Sequence, residues 1–457
     1  MRFYRSFFTI TTSALLFVLS SCNNKLDVTP IQEIDETNAL TTSTAVIAAL
    51  TGAYDGLQSD DTYAGAISYI ADLVGDNREV VFAGTFSSLD ELWRKTIATT
   101  NTQVRDTWLG CYDVINRVNN VLEALPIVVE DERARVEGEA LFIRAAMHFE
   151  LVRLFAKSWN DGNPAQNPGV PIILTATHVP LDETDYPARA TVAEVYAQVI
   201  SDLTKAESLL EDASGGSTLA NKQVVTAMLS RVYLMQGNYA AARDAANAVI
   251  ESEAYTLLSD FTEAFNNYEI FGGTPTAENI FSIKVTNQDG VNGLNTFFVS
   301  SGYGGRGDIR VQQKHLQLYE ENDVRGTFFY TSSNRVFTEK YTDQYGNVPI
   351  IRFAEMYLTR AEANFRLGES VGADPVDDIN VIRERAGLNP LATVNLTQIL
   401  KERKLELAFE GHLLYDLKRT EQPVGDLPFN ADELVLPIPQ RERDTNKNLT
   451  QNPGYAQ

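Results

Sequence analysis

Apolar residues recur at three-to-four-residue spacing through much of this chain, and residues 219–252 show the pattern most cleanly. Val225, Leu229, Val232 and Leu234 form one run, Gly237 and Asn238 interrupt it, and Tyr239, Ala242, Ala246 and Val249 form a second. This spacing predicts two amphipathic helices folded as an αα-hairpin, with Ala241, Ala242, Ala245 and Ala246 small enough to let the backbones approach. One such hairpin cannot bury its own apolar face, so others must stack on it.

The same periodicity predicts helices on both sides. Residues 42–58 carry Val46, Leu50 and Tyr54 on one side, and 63–74 form a second apolar segment closed by Gly75, Asp76, Asn77 and Arg78. Residues 82–93 read as a loop leading into a helix. Residues 102–125 carry the stripe Val104, Trp108, Tyr112, Ile115, Val118 and Leu122, closed by Pro126. The longest run is 132–155, followed by a Pro/Gly/Asn loop and a helix at 192–210. Within the central hairpin, Leu229, Tyr233 and Ala242 fall where tetratricopeptide repeats place Leu, Tyr and Ala, with Thr226 and Ser230 at the Trp and Gly positions.

From 255 to 349 the pattern changes. Short strands are expected at 278–285, 295–300 and 335–341, separated by turn residues, and a helix at 311–320. Helical spacing resumes at 351–367, 376–385 and 396–417, and the chain ends in an extended Leu-Pro-Ile-Pro segment around 434–439. The expected fold class is mostly α: tetratricopeptide-like hairpins packed into one unit, 42–457. Its helical scaffold is 42–254 and 350–420, its irregular insert with a few short strands 255–349, and its extended tail 421–457.

Composition narrows the partners. The 457 residues carry a formal charge of −23 with no basic stripe, which repels a polyanion and argues against nucleic acid. The two cysteines, Cys22 and Cys111, are too few for a disulfide framework and lack metal-site spacing. Cys111 lies in an apolar helical run and reads as an inert core thiol. Cys22 is different. Arg2 and Arg5 precede an apolar run that ends in Leu19, Ser20, Ser21 and Cys22, an export signal over 1–21 too short to span a bilayer. The ending resembles the bacterial lipobox, whose cysteine is acylated, and residues 22–41 read as a polar tether.

Catalytic motifs are lacking: no phosphate-binding loop, no H-E-x-x-H and no G-x-S-x-G is present. His148, His178, His315 and His412 are scattered. Residues 302–307 spell G-x-G-x-x-G, but neither a second apolar strand nor alternating α/β pattern follows, as a dinucleotide fold requires. No cofactor is expected. The glycines instead suggest a flexible loop presenting Tyr303, Arg306 and Asp308.

The C-terminal third carries a denser set of motifs. RFAEMYL (352–358), RAEA (360–363), IRERAGL (382–388), ERKLELAFEGH (402–412), YDLKR (415–419), LPIPQ (436–440) and NLTQNPGY (448–455) occur in order. Together they resemble the SusD/RagB family of Bacteroidetes outer-membrane lipoproteins. The lipobox, the region from Asp72 to Asp76, the helix bearing Trp108, Tyr112, Ile115 and Asn119, and Arg144-Ala145 with Leu154-Phe155 are similar to that family as well. The resemblance implies a non-enzymatic, lipid-anchored protein of the outer membrane facing the cell exterior. Its helical scaffold would meet a SusC-like TonB-dependent transporter, and its loops would hold an oligosaccharide or a peptide for import. The charged residues of these motifs read as scaffold, with Glu402, Arg403, Glu406, Glu410 and Arg419 paired among themselves or with Arg352, Glu355 and Glu362.

Sugar rings present apolar faces and many hydroxyls, so a site for them needs exposed aromatics flanked by paired hydrogen-bonding groups. Two loop regions offer that mixture: Asp76, Asn77 and Arg78 with Phe82, Phe86 and Trp93, and the loop with Tyr303, Arg306 and Asp308. The expected ligand-binding set is Asp76, Arg78, Phe86, Trp93, Tyr303 and Arg306, with Trp93 and Tyr303 as platforms and Trp159 as a weaker candidate. Helix core is an equally good reading of Trp93. Two other readings compete: a surface hydrolase, for which no carboxylate pair stands out, and an assembly scaffold that binds proteins and no small ligand.

Overall fold

The central hairpin forms where the periodicity places it, and the rest of the scaffold is laid against it. The computed structural model describes residues 40–178, 181, 186–265, 273–288 and 290–456; Cys22, the export signal and nearly all of the tether lie outside them. The N-terminal helices are α1 (Ser43–Leu57), α2 (Ala66–Val74), α3 (Ser87–Arg94), α4 (Thr102–Glu123) and α5 (Glu130–Phe155). They lead through α6 (Val192–Leu209) to the hairpin α7 (Lys222–Met235) and α8 (Tyr239–Glu251).

Asn221 caps α7 by accepting from Val224 N–H, Gly237 turns the chain at φ 70°, and Asn238 caps α8 by accepting from Ala241 N–H. At the crossing, the Ser230 hydroxyl donates to the Ala242 carbonyl at 3.2 Å, a contact that small side chains permit. Helix α5 is buried nearly all round from Gly138 onward and joins α6 through a bidentate pair, Arg144 with Asp202 at 2.8 and 2.9 Å.

Among the described residues, six short strands lie in two sheets. In the first, β1 (Val80–Phe82), β3 (Ile309–Val311), β5 (Arg335–Thr338) and β4 (Phe329–Ser332) are ordered β1-β3-β5-β4, antiparallel throughout. In the second, β2 (Asn279–Ile283) pairs with β6 (Val348–Arg352). Two expectations for the insert are corrected. Residues 295–300 are not a strand: Asn292 accepts from Asn295 N–H and starts the helix α9 (Gly293–Phe298). The helix expected at 311–320 shrinks to α10 (Gln313–Leu316), because Val311 closes β3. The segment before α3 also contributes β1, which pairs with a strand more than two hundred residues away.

The scaffold resumes with α11 (Phe353–Leu367), α12 (Pro375–Arg385), α13 (Leu396–Glu406) and α14 (Leu413–Arg419). The single helix expected over 396–417 is broken because Phe409 and Gly411 both have positive φ. Gly411 presses so close to α2 that a Cβ would lie 2.7 Å from the Ser68 Cα, and its N–H donates to Asp72. A last helix, α15 (Gln440–Thr445), interrupts the extended tail. Helices from both ends of the chain and the strands of the insert contribute to one main apolar core.

Around that core runs a buried charge network. Arg352 meets Glu278, Glu406 and Glu410 at 2.6–2.8 Å, and Arg385 also meets Glu278 at 2.7 Å. Arg325 from the insert pairs with Asp323 and Glu402, and Lys340 with Glu410. Arg403 faces Glu355, and Arg419 grips Glu362 through two bonds. The expected pairing of Arg352, Glu355 and Glu362 with residues of 402–419 therefore holds, and the structure adds Arg325 and Lys340 from the insert and Arg385 from α12. Burial alone would raise Glu406, but Arg385, Arg352 and Arg325 together hold it well below the usual carboxylate range. Cys111 is fully buried, as its apolar run predicts.

Candidate functional site

Strand β1 separates two groups of the residues singled out from sequence. At its start, α2 ends at Gly75, which packs so tightly on Leu414 that a Cβ would lie 2.7 Å from the Leu414 nitrogen. The chain then turns through a buried Asp76. Its Oδ1 accepts from Glu79 N–H at 2.7 Å and Val80 N–H at 3.0 Å, its Oδ2 accepts from Trp93 Nε1 at 3.1 Å, and its carbonyl accepts from Lys95 Nζ at 3.3 Å. This turn holds Arg78 at φ 65°, exposed and ion-paired with Asp426. Trp93 is half-buried, its ring beneath the Arg94 guanidinium at 5.3 Å. Asp76, Arg78 and Trp93 thus line one open cavity of about 570 Å³, with Val424, Gly425, Asp426 and Leu427 across from them.

Beyond the other end of β1, the chain reaches Phe86, which is 44% exposed and meets Phe297 edge-on at 5.9 Å. The Arg306 guanidinium lies 4.7 Å over the Phe86 ring. Its Nε donates to Asp308 at 2.9 Å and its terminal nitrogen to Thr85 Oγ1 at 3.1 Å. Asp308 is buried, not presented to solvent as expected, and Gly84 is the residue that admits it: a Cβ there would lie 2.5 Å from the carboxylate carbon. Phe82 is likewise buried and faces the core. Tyr303 is 51% exposed and stands edge-on to Tyr330 at 5.1 Å, whose hydroxyl accepts from Ser300 N–H.

The glycine-rich segment 302–307 holds these groups in a packed turn instead of projecting freely. Gly304 and Gly307 have φ of 85° and 66°, and Gly305 sits where a Cβ would be 2.1 Å from the Val299 carbonyl oxygen. The sheet register continues the surface. Val81 stands opposite Arg310 and Tyr330 opposite Phe337 on the outer face, where Phe337 is buried against Tyr330 and Gly307 while Val81, Arg310 and Tyr330 stay half-buried. The structure therefore brings Phe86, Tyr303 and Arg306 to the outer sheet face and Asp76, Arg78 and Trp93 to the adjoining cavity, which shares Val81. Trp159 belongs to neither and packs on Tyr196 at 5.2 Å.

Sequence reasoning missed Tyr330, Phe297, Arg310 and Asp426. Tyr330 had a signal, the aromatic run Phe328, Phe329 and Tyr330 bounded by turn residues; Asp426 had none, since it meets Arg78 across 348 residues. The histidines are removed from this surface. His148 is buried, held down to about 4 by burial and the charge of Arg144, and its Nε2 accepts from Ile173 N–H. His315 lies under the sheet against Glu79 and Tyr319. The surface offers aromatic faces and guanidinium donors, a chemistry suited to holding a polyhydroxylated ligand.

Comparison with known proteins places this geometry in context. Residues 26–234 match a family model described as starch-binding associating with the outer membrane, and residues 330–427 match that of the SusD family. The chain is 27% identical to the SusD-like protein P2 of Formosa agariphila over 519 residues, covering 98% of this chain and 99% of that protein. A sugar-binding protein structure from Bacteroides vulgatus superposes with a TM-score of 0.81 at 27% identity, covering 92% of this chain and all of that one. A laminarin-binding SusD-like protein superposes with a TM-score of 0.74 at 25% identity over 91% of this chain and 100% of that one.

Proposed function

The chain belongs to the SusD/RagB family, and on that premise we propose that it captures glycan fragments at its outer sheet face and delivers them to a TonB-dependent outer-membrane transporter. Acylated at Cys22, it would be held on the outer membrane facing the exterior; no helix among the described residues is long and apolar enough to cross a membrane. Family members that match it carry names describing starch, sugar or laminarin binding, which supports a carbohydrate for this chain.

The observation that carries the site is the pair of exposed rings, Tyr303 braced by Tyr330 and Phe86 beneath Arg306. In this reading Tyr303 and Phe86 are stacking platforms, Arg306 is a hydroxyl-directed donor, and Trp93 with Arg78 extends the site into the cavity. Asp76 is a positioning residue, because both its oxygens are engaged by Glu79, Val80 and Trp93. Scaffold helices on the opposite side would meet the transporter.

Affinity electrophoresis of the purified protein against laminarin, starch and other polysaccharides tests the binding. Retardation by a glycan that is weakened in Tyr303→Ala supports the site, and indifference to every glycan by the intact protein contradicts the function. Pull-down from outer membranes tests the delivery step: recovery of a β-barrel transporter supports it, and recovery of none contradicts it.

A further inference from the structure

Building on that reading of the outer sheet face, the arrangement of its arginines points to a more specific ligand. In the antiparallel pairing of β3 and β5, Val311 stands opposite Val336, which puts Arg310 opposite Phe337 and Arg335 one diagonal step away on the same face. Diagonal neighbours of this kind have Cβ atoms about 7–8 Å apart. Arg335 is exposed and opposite Ser332. Arg310 is half-buried and reaches only the carbonyls of Gly307 and Ala83.

Neither arginine forms an ion pair with any described residue. Most guanidinium groups of the described residues hold carboxylates, as Arg325, Arg352, Arg360 and Arg419 do, while Arg189 and Arg443 are satisfied by carbonyl and amide oxygens of the chain's own tail and loops. On the same surface Arg306 is neutralised by Asp308, and across Val81 Arg78 is neutralised by Asp426. Burial first, and then the charge of Arg335, hold Arg310 below the usual guanidinium range. On a protein of net charge −23, two like charges left adjacent and unpaired next to Tyr303 and Tyr330 form a local cationic seat.

We infer that the glycan bound at this face is anionic, carrying carboxylate or sulfate groups that pair with Arg310 and Arg335 while its rings stack on Tyr303. The diagonal placement of the two arginines suits charged groups on neighbouring sugar units, and Gln312, opposite Arg335 in the same register, adds an amide beside them. The acidity of the rest of the chain confines such a ligand to this face.

The test is isothermal titration of the purified full chain with matched polysaccharide pairs: polygalacturonate against its carboxyl-reduced form, and a sulfated galactan against its desulfated form. Laminarin serves as a neutral glycan. The variants are Arg335→Gln, Arg310→Gln, Tyr303→Ala and, as a remote exposed control, Lys447→Gln, each checked by thermal unfolding. The expected result is binding of an acidic member that weakens about tenfold or more when its charge is removed or when Arg335 is replaced. Added salt should weaken it further, while Lys447→Gln binds as the parent does. Because Arg335 is exposed, R335Q is expected to fold, and it decides the matter if R310Q does not.

Three results separate the possibilities. Uronate or sulfate preference identifies which anion is read. Binding of laminarin or a charge-stripped glycan that Arg335→Gln leaves unchanged but Tyr303→Ala weakens overturns the anionic ligand and keeps the glycan site. No binding to any member overturns both.

Discussion

The buried network around Arg352 and the outer face of the four-stranded sheet use the same residue types to opposite ends. In the network, guanidinium and carboxylate groups satisfy one another inside the protein: Arg352 is fully buried and meets three glutamates. On the sheet face, Arg310 feels Asp308 without pairing to it, neither Arg310 nor Arg335 forms an ion pair with any described residue, and Tyr303 is half-exposed. Saturated charge fixes how the insert sits on the scaffold. Unsaturated charge beside exposed rings leaves interaction capacity for a ligand. The contrast teaches that in this chain a charged residue's role is read from whether its partners are internal.

The hardest way to break the comparison is to remove the centre of the network. Arg352→Met would remove the cation that Glu278, Glu406 and Glu410 share, leaving three buried carboxylates to Arg385, Arg325 and Lys340, and is expected to cost about 3–5 kcal/mol of stability. Denaturant unfolding checks this; a loss within the error of the method would mean the network is not what holds insert and scaffold together. A smaller effect of opposite sign is expected nearby at Asp72. Burial, with the charge of Glu410, pushes its carboxyl up to about 8 despite the Gly411 N–H. It therefore binds its proton more tightly folded than unfolded, and weighs increasingly against folding as pH rises from the ordinary carboxylate range through 8. Asp72→Asn should gain on the order of 1 kcal/mol or more at pH 9 and little at pH 4, read from paired melting curves.

Glu362 titrates the other way. Burial would raise it, but Arg419 and Arg366 hold it down to about 2. Its contribution is present above the ordinary glutamate range and is lost as pH falls toward 2, so the parent should lose stability more steeply through the acid limb than a Glu362→Gln variant, whose stability is lower at pH 7 and approaches the parent's near pH 2. The smallest effect belongs to the rim. Arg78 and Asp426 are 68% and 81% exposed at their side chains, and Arg78→Ala should change stability by less than about 0.5 kcal/mol.

The two regions also differed in how far the sequence disclosed them. Residues 402–412 carry apolar and charged positions at helical spacing, so both the core face and the pairing with Arg352, Glu355 and Glu362 were readable locally. Their break at Gly411 was not, because it depends on the approach of Ser68 from a distant helix. Strands β1 and β3 have three residues each, too short for a period of two to register. Their pairing across more than two hundred residues is what builds the sheet face. Hence Tyr303 and Arg306 could be chosen as exposed loop groups, while Arg310, Arg335 and Tyr330 became part of the same surface only through the register. Asn295 to Phe298 read as a strand because a single helical turn and an aromatic-rich strand share the same composition.

The most direct test of the account is the binding isotherm of Tyr303→Ala beside the parent, using the glycan the parent retains and confirming equal melting temperatures. Loss of a stacked, half-exposed ring predicts affinity weaker by about threefold to tenfold with no change in stability. Unchanged affinity at unchanged stability would place the glycan somewhere other than the outer sheet face and contradict the account.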